Sequence, residues 1–267
     1  MSTAISDLEF SRFQKFIYQA AGITLTPAKK ALVSGRLSKR LQAHQLTNFS
    51  DYFELLGRDG NAAEVQTAVD LLTTNETYFF RVPKHFDKLR TLALEARNSR
   101  QPFRVWSAAS SSGEEPYSIA MVLADCLGDA SWEVVGSDIS LRVLQRARTG
   151  HYPMERTSHI PPAYLKRYCL KGGGEQDGTL LVERSLRSRV NFAQVNLNTE
   201  LPRMGLFDLI FLRNVMIYFN GDTKRQVVER VLSRLKPGGH FFIGHSESLN
   251  DISTAVEQVA PSIYRKA

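Results

Sequence analysis

A turn of small residues followed by two carboxylates stands where a predicted buried strand meets a predicted helix. The strand FRVWSAA, which begins at Phe103, runs into SAASSSGEEPYS, where the glycine is Gly113. A dinucleotide fold needs glycines at this turn so that the backbone can approach a pyrophosphate, and Glu114 and Glu115 would repel that group. They would instead attract a cationic amino group. The turn therefore disfavours NAD, although small residues still let a ligand without phosphates approach closely.

A third carboxylate follows the second predicted strand. The segment WEVVGSD ends at Asp138, about 25 residues after Gly113, where nucleotide-binding folds place an acidic residue that accepts hydrogen bonds from ribose hydroxyls. The alternative role is an N-cap for the helix that begins near Leu141. Combined with Glu115, the ribose role indicates an adenosyl ligand with an amino acid tail, which is S-adenosylmethionine (SAM).

The stretch TTNETYFFR sets polar groups beside two adjacent phenylalanines. Because Phe79 and Phe80 cannot face the same way on a helix or a strand, we expect one in a core and the other at a cavity. Asn75, Thr77 and Arg81 would then offer polar groups beside that cavity. The alternative is a helix end capped by threonine and asparagine, with a core phenylalanine and a solvated arginine.

The first part of the chain reads as helices. Apolar residues recur at helical spacing in the first segment, at Phe10, Phe13, Phe16 and Ile17. Pro27 can begin a second helix in ITLTPAKKALVSGRLSKRLQAHQ, and DYFELLGRD and AEVQTAVDLLTT supply further helical segments. We predict a small all-helical domain over residues 1–90, built as a bundle of four short helices.

From Phe103 onward, predicted strands alternate with predicted helices. Such alternation predicts an α/β domain over residues 91–267, with a mostly parallel sheet covered on both faces and ligands at the carboxyl ends of its strands. The C-terminal SIYRKA is expected to add a last edge strand. Residues 151–189 break the alternation with the glycine-rich CLKGGGEQDG, which predicts an inserted antiparallel β-subdomain at about 160–190.

Positive charge is concentrated near the N-terminus of the 267-residue chain. The formal net charge is +7, and residues 10–50 contain seven basic side chains and no Asp or Glu. A basic chain can indicate nucleic acid, but charge confined to one segment favours docking on an acidic partner. The alternative is a solvated helix face, since Lys29, Arg36 and Arg40 share one stripe of the second predicted helix.

Composition disfavours several other classes of protein. The hydrophobic fraction of 43% describes a globular chain. No apolar run approaches the roughly 20 residues of a membrane span, and MSTAISDLEF does not resemble a secretion signal. Cys126 and Cys169 have no ligand-like spacing, and His240 and His245 would face opposite sides of a strand. We expect a reduced, cytoplasmic protein without a metal ion or nucleic acid partner.

Motifs along nearly the whole chain resemble one family. TTNETYFFR, WSAASSSGEEPYSIAM, GSDIS, VNLN, FLRNVMIYF and LKPGGHFFIGHSE occur in the order typical of CheR-type chemotaxis receptor glutamate O-methyltransferases. The resemblance implies a class I SAM-dependent methyltransferase fold, which is Rossmann-like, with a helical N-terminal domain and an inserted antiparallel β-subdomain. The first-strand turn lacks the Gly-Cys of many members, while its Ala and Ser residues remain small.

The resemblance also implies a reaction, in which methyl groups pass from SAM to glutamate carboxylates of chemoreceptors for sensory adaptation and S-adenosylhomocysteine is released. It implies a cytoplasmic enzyme recruited to membrane-bound receptors. Family contacts to SAM match the following residues: Asn75, Thr77, Arg81, Glu115, Asp138, Asn196, Leu197, Arg213 and Asn214. Arg81 and Tyr218 match residues beside the transferred methyl group, although without the family Tyr218 reads as a core aromatic between Ile217 and Phe219.

Two surfaces for partners are implied as well. Arg36, Lys39 and Arg40 match the positive face that docks on receptor methylation helices, and KGGGEQDG resembles the loop version that binds a receptor C-terminal pentapeptide. Two rival interpretations are a different SAM enzyme and a docking protein that has kept the fold. Against the first rival, Ile160-Pro161-Pro162-Ala163-Tyr164 lacks the polar first residue of the motif found in amine-directed nucleic-acid methyltransferases. A SAM-binding titration would distinguish the enzyme from the second rival, the docking protein.

Overall fold

The computed structural model describes residues 4–99 and 101–267. Within the described residues, four α-helices precede Thr73: α1 (Asp7–Ala21), α2 (Lys30–Ala43), α3 (Phe49–Leu56) and α4 (Ala62–Leu72). Their apolar faces form one cluster, in which Phe13, Ile17 and Leu37 are fully buried. The predicted helical bundle is confirmed.

Local sequence explains where α1 begins and ends. The Ser6 hydroxyl accepts a hydrogen bond from the Glu9 N–H at 3.2 Å, and the Glu9 carboxylate accepts one from the Ser6 N–H at 2.8 Å, which makes a capping box. Gly22 ends the helix with a φ of 71°, a conformation that a residue with a side chain rarely adopts. The chain then turns directly toward the second domain, where Ile23 forms a β-bridge with Phe219.

A nearly buried carboxylate joins three of these helices. Glu64 of α4 accepts hydrogen bonds from Arg40 Nε at 2.8 Å and Nη2 at 2.6 Å, and from the Tyr52 hydroxyl at 2.6 Å. His44 Nε2 lies 3.0 Å from the same carboxylate. Burial opposes ionisation of Glu64, but the hydrogen bonds from Arg40, Tyr52 and His44 outweigh it and lower the pKa to about 2.

Arg40→Met is expected to lower the free energy of unfolding by about 3 kcal/mol near neutral pH, because Glu64 then stays buried without its charged partner. In the wild type, the stabilisation from Glu64 is complete above the ordinary pKa of 4.5 and is lost as the pH falls from there toward about 2. Urea unfolding measured across that pH range gives this loss of stability. The loss should be smaller in Arg40→Met than in the wild type. Lys39→Met changes an exposed neighbour and should shift stability by less than about 0.5 kcal/mol. An Arg40 variant that matches this control at every pH would contradict the assignment.

The rest of the described chain contains six further α-helices and ten strands. The helices are α5 (Pro83–Ala96), α6 (Glu114–Leu127), α7 (Leu141–Thr149), α8 (Pro162–Tyr168), α9 (Arg184–Arg187) and α10 (Gly221–Leu232). The strands are β1 (Phe103–Ser107), β2 (Trp132–Asp138), β3 (His151–Pro153), β4 (Cys169–Lys171), β5 (Thr179–Val182), β6 (Val190–Gln194), β7 (Phe207–Leu212), β8 (Leu235–Ile243), β9 (Val256–Ala260) and β10 (Ile263–Lys266).

Seven of these strands form the main sheet, in the order β6-β2-β1-β7-β8-β10-β9. The first five pair in parallel, and β10 runs antiparallel to both β8 and β9. The predicted mostly parallel sheet is confirmed, but the expectation that SIYRKA forms the edge was wrong. The edge strand is β9, whose Glu257, Gln258 and Val259 are exposed. Because Val256 alone of this strand is buried, its sequence did not indicate a strand.

Both faces of the main sheet are covered. Val105 packs into a cluster that contains residues of α5 and α6, while the next residue, Trp106, packs into a second cluster with α10 on the other face. Phe86 and Leu89 of α5 lie in the first cluster. The predicted domain boundary between residues 90 and 91 therefore falls inside a helix that packs on the sheet. The domain limits stay a prediction.

The insertion forms a separate antiparallel sheet in the order β3-β5-β4. This confirms the antiparallel β-subdomain, whose first strand begins at His151 and whose last ends at Val182. Over residues 4–99 and 101–267, no helix combines the length and the apolar character needed to span a membrane.

Candidate functional site

A cleft of about 850 Å³ lies at the carboxyl ends of β1, β2 and β7. In the sheet, β1 pairs with β2 on one side and with β7 on the other. Open α/β sheets bind ligands at such a point. That volume includes the open space at the entrance of the cleft. All the residues predicted from the sequence to touch SAM or the transferred methyl group line this cleft: Asn75, Thr77, Arg81, Glu115, Asp138, Asn196, Leu197, Arg213, Asn214 and Tyr218.

The small-residue turn after β1 forms the floor of the cleft. Ala108, Ala109 and Ser111 line it. Gly113 has a φ of 97°, and a Cβ atom there would lie 2.8 Å from the hydroxyl oxygen of Tyr152. The one glycine of the turn is therefore required by backbone conformation and by the close packing of the insertion, and the small neighbours leave room for a ligand.

Asp138 holds the turns after β1 and β2 together. Its carboxylate accepts hydrogen bonds from the Ser111 N–H at 2.9 Å and the Ser140 N–H at 3.0 Å. Burial raises its pKa, and those two hydrogen bonds act in the opposite direction. The N-cap of α7 is Ser140, whose hydroxyl accepts from the Val143 N–H, so the alternative N-cap role for Asp138 was wrong. Each carboxylate oxygen keeps the capacity to accept a ribose hydroxyl.

A buried ion pair closes the next part of the wall. Arg213 Nη1 lies 2.7 Å from Glu115 Oε2, and the Arg213 side chain is 2% exposed. Its Nη2 donates to the backbone oxygen of Arg81 at 2.6 Å, and the Ser107 hydroxyl donates to Glu115 Oε1 at 2.8 Å. Glu115 is therefore already paired with one cation, but its carboxylate oxygens can accept further hydrogen bonds from an amino group.

Glu114 takes a different place from its neighbour. Its side chain is fully buried, pairs with Arg156 and accepts a hydrogen bond from the Ser112 hydroxyl. Burial raises its pKa, while Ser112 and Arg156 act in the opposite direction. Glu114 is not among the residues that line the cleft, so the expectation that both glutamates attract a ligand was wrong for this one.

The NETYFFR segment crosses the mouth of the cleft with its polar side chains. Asn75 is anchored by its backbone oxygen, which accepts from the Ser111 hydroxyl at 2.8 Å. The expectation of one core phenylalanine and one cavity phenylalanine was wrong, because Phe79 and Phe80 are both buried in the cluster of α5 and α6. Phe80 has a φ of 53°. This left-handed conformation removes the alternation of side chains assumed for a regular element.

The loop after β7 supplies the last group of polar residues. Arg213, Asn214 and Val215 line the cleft together with Tyr218. Tyr218 is half-buried and packs against the second apolar cluster, while Ile217 is exposed. Tyr218 is therefore a cleft residue as well as a partner of the core.

Sequence reasoning missed the contribution of the helical bundle to this site. Ala21 and Ile23 line the cleft. The Thr24 N–H donates to the backbone oxygen of Tyr218 at 2.8 Å. On the other side, the Asn196 amide donates to the backbone oxygen of Ala20 at 2.7 Å. Gly22 ends α1, but nothing in the sequence pattern showed what the residues after it would meet.

The three basic residues predicted to dock on a partner do not share one environment. Lys39 is exposed. Arg36 donates to the backbone oxygens of Leu72 and Thr73, at 3.3 and 3.0 Å, and therefore holds the chain where it enters the cleft segment. Arg40 is bound to Glu64 as described above. Of the stripe formed by Lys29, Arg36 and Arg40, only Lys29 is exposed, so the alternative of a solvated helix face fits Lys29 alone.

The arrangement fits SAM. Asp138 is placed to accept ribose hydroxyls, Glu115 and Arg213 offer partners for an amino group and a carboxylate, and Leu197 adds an apolar wall. Among residues 4–99 and 101–267, no three His, Cys, Asp or Glu side chains are grouped as metal ligands. The contacts themselves stay a prediction.

Known proteins resemble this chain over almost its full length. Family models match twice: the all-alpha domain of the CheR methyltransferase at residues 8–73, and its SAM binding domain at residues 75–264. The chain is 42% identical to the chemotaxis protein methyltransferase of Escherichia coli (strain K12), over 98% of this chain and 91% of the relative. It is 44% identical to that of Salmonella typhimurium (strain LT2), with the same coverage. Chemotaxis protein methyltransferase 2 of Pseudomonas aeruginosa is 42% identical, over 97% and 93% of the two chains.

Proposed function

Because the chain belongs to the CheR methyltransferase family, we propose that it methylates glutamate carboxylates of chemoreceptors with SAM, forming methyl esters for sensory adaptation. The observation that carries this proposal is the single cleft that collects Asp138, Glu115, Arg213 and Tyr218 at the carboxyl ends of the strands. The protein is a SAM-dependent methyltransferase by family, and the receptor glutamate is the acceptor that we assign to it.

The reaction asks little acid–base chemistry of the protein. When bound, SAM supplies an electrophilic methyl group on a sulfonium. A receptor glutamate has an ordinary pKa of about 4.3 and is ionised near neutral pH, so no strong general base is required. The residues of the cleft instead orient the acceptor, since reacting atoms must lie about 3–3.5 Å apart and aligned. A cleft poor in water would favour a reaction in which opposite charges disappear.

Cofactor binding is assigned to nine of the cleft residues. We assign the ribose to Asp138 and the amino acid tail to Glu115, Arg213 and Arg81, with Asn196 and Leu197 beside the adenosine. Asn75, Thr77 and Asn214 complete the set. Arg81 lies with its guanidinium 5.5 Å from the ring of Tyr78, which holds it at the mouth of the cleft. Its main role is orientation, because a strong ion pair with the acceptor would weaken the nucleophile.

Tyr218→Phe is expected to lower kcat about tenfold, because the hydroxyl that orients the acceptor carboxylate is lost. The affinity for SAM should stay within about twofold, since the ring that lines the cleft remains. Isothermal titration with SAM and methyl transfer at saturating substrate separate the two effects. Tyr168→Phe removes a hydroxyl that forms no hydrogen bond within the described residues and does not line the cleft, and should change neither. Full turnover by Tyr218→Phe would show that the hydroxyl has no part in transfer.

We assign the acceptor glutamates to the cytoplasmic domains of methyl-accepting chemoreceptors. A cytoplasmic enzyme would be recruited to these receptors. We assign docking to the basic face of the helical domain, residues 1–90, where Lys39 is the exposed member of the matching set. Arg36 and Arg40 support that face by their internal bonds. The β-subdomain of the 91–267 domain is the surface we assign to a receptor C-terminal pentapeptide.

Transfer of labelled methyl from SAM to a chemoreceptor cytoplasmic fragment tests the function. Label released as methanol by alkali, and lost when the receptor glutamates are replaced by alanine, is the expected result. The Asp138→Ala enzyme serves as the negative control. Tight SAM binding without methyl transfer to any of several receptors would show that the acceptor is a different molecule. Absence of both binding and transfer would overturn the proposal in favour of a docking protein.

A further inference from the structure

The segment Gly244-His245-Ser246-Glu247 follows β8 and lies beside the cleft, yet the proposed function gives it no task. We propose that Glu247 is a positioning residue for methyl transfer: its carboxylate holds the loop that carries Tyr218. The proposal rests on the proposed function above, in which Tyr218 orients the acceptor.

The carboxylate of Glu247 accepts three backbone hydrogen bonds. Its Oε2 accepts from the Asn214 N–H at 2.9 Å and from the Gly244 N–H at 2.7 Å. Its Oε1 accepts from the Met216 N–H at 2.8 Å. Two of the three donors belong to the loop after β7, so a single side chain fixes that loop to the end of β8.

Glu247 acts at the point where the loop changes direction. Asn214 has a φ of 58°, a left-handed conformation that asparagine adopts more readily than most residues other than glycine. Asn214 is also a cleft residue. Glu247 binds the N–H of this very residue, and thereby stabilises the conformation that sets the direction of the following residues toward Tyr218.

Close packing around the carboxylate supports the same role. A Cβ atom on Gly244 would lie 2.8 Å from Glu247 Oε2 and 2.8 Å from the side-chain nitrogen of Asn214. The glycine therefore leaves the space in which carboxylate and loop meet. Glu247 forms no ion pair within the described residues, and charge-assisted bonds from backbone N–H groups are short and strong.

The other anchors of the loop lie at its two ends. Arg213 is held by Glu115 and by the backbone oxygen of Arg81. Tyr218 is held through its backbone oxygen by the Thr24 N–H. Removal of Glu247 should therefore leave Arg213 in place at the start of the loop and shift the middle of the loop. Asn214 lies there, but it is one of nine residues assigned to SAM, so SAM affinity should change less than the rate. A misplacement of about 1 Å is enough to reduce a reaction rate by about 100-fold.

Kinetics of Glu247→Ala and Glu247→Gln test the proposal. We expect Glu247→Ala to lower kcat for receptor methylation at least about tenfold, while the Kd for SAM rises less than about threefold. Glu247→Gln keeps one acceptor oxygen and should recover part of the rate. Glu257→Gln changes an exposed acid of β9 and serves as the matched control. A kcat within about twofold of the wild type for Glu247→Ala, or equal losses in kcat and in SAM affinity, would overturn the proposal.

A double-mutant cycle separates positioning from general damage. In the Tyr218→Phe enzyme, Glu247→Ala should lower kcat at least about threefold less than it does in the wild type, because the hydroxyl to be positioned is already absent. The same loss in both backgrounds would overturn the role. Amide hydrogen exchange gives a readout without activity: the N–H groups of Asn214, Met216 and Gly244 should lose protection in Glu247→Ala. Unchanged protection would overturn the role of Glu247 in holding the loop. Absence of methyl transfer by the wild type would overturn only the proposed acceptor.

Discussion

Arg213→Met is expected to lower the free energy of unfolding by about 3–5 kcal/mol, the cost of removing one partner of a buried ion pair. The Arg213 side chain is 2% exposed and the Glu115 side chain 13%. Methionine has a similar length but provides no donor, so Glu115 keeps a charge without its partner. The backbone oxygen of Arg81 loses its donor as well. SAM affinity should fall with stability, since both residues line the cleft.

Urea unfolding and SAM titration measure these two losses. Arg225→Met is the matched control, because Arg225 forms a 2.8 Å ion pair with Asp222 in which the side chains are 53% and 84% exposed. Such an exposed pair contributes less than about 1 kcal/mol. The double variant Glu115→Gln with Arg213→Met should regain part of the stability but not the affinity for SAM. If Arg213→Met were as stable as the control, the buried pair would have no structural role.

Asp138→Ala is expected to weaken SAM binding by about 10- to 140-fold, because a hydrogen bond to a charged group contributes about 1.5–3 kcal/mol and the ribose acceptor is lost. The N–H groups of Ser111 and Ser140 lose their partner too, so the floor of the cleft is also loosened. Isothermal titration with SAM measures the change. Asp87→Ala alters an exposed acid of α5 and should bind as the wild type does.

The same carboxylate predicts how SAM affinity depends on pH. Burial raises the pKa of Asp138 above its ordinary value, although hydrogen bonds from Ser140 and Ser111 act against this. The ionised form is the better acceptor for ribose hydroxyls, so affinity should fall as the pH drops through the raised pKa. Asp138→Asn should abolish that dependence while keeping one acceptor oxygen. An Asp138→Ala affinity within about threefold of the wild type would remove Asp138 from the binding site.

Local pattern was enough to predict much of the fold and the outline of the site. Phe13 and Ile17 show helical spacing, and β7 shows a continuous apolar run from Leu209 to Leu212; the structure contains both elements. The position of Asp138 after a strand indicated a ligand site because parallel strands end at one edge of a sheet. The same reasoning failed for β9, because an edge strand with exposed Glu257 and Gln258 lacks the apolar alternation that marks a strand.

What the sequence by itself determined is therefore what depends on neighbours along the chain: helix and strand types, the helix start at Ser6, the small residues at the turn and the class of cofactor. Only the tertiary structure decided which distant groups meet. It put Ile23 in the cofactor cleft, gave Arg40 to Glu64, and joined Glu247 to Asn214. The physical reason is that spacing and residue type control local conformation, whereas an ion pair or a clamp between separate segments exists only once the whole core has packed.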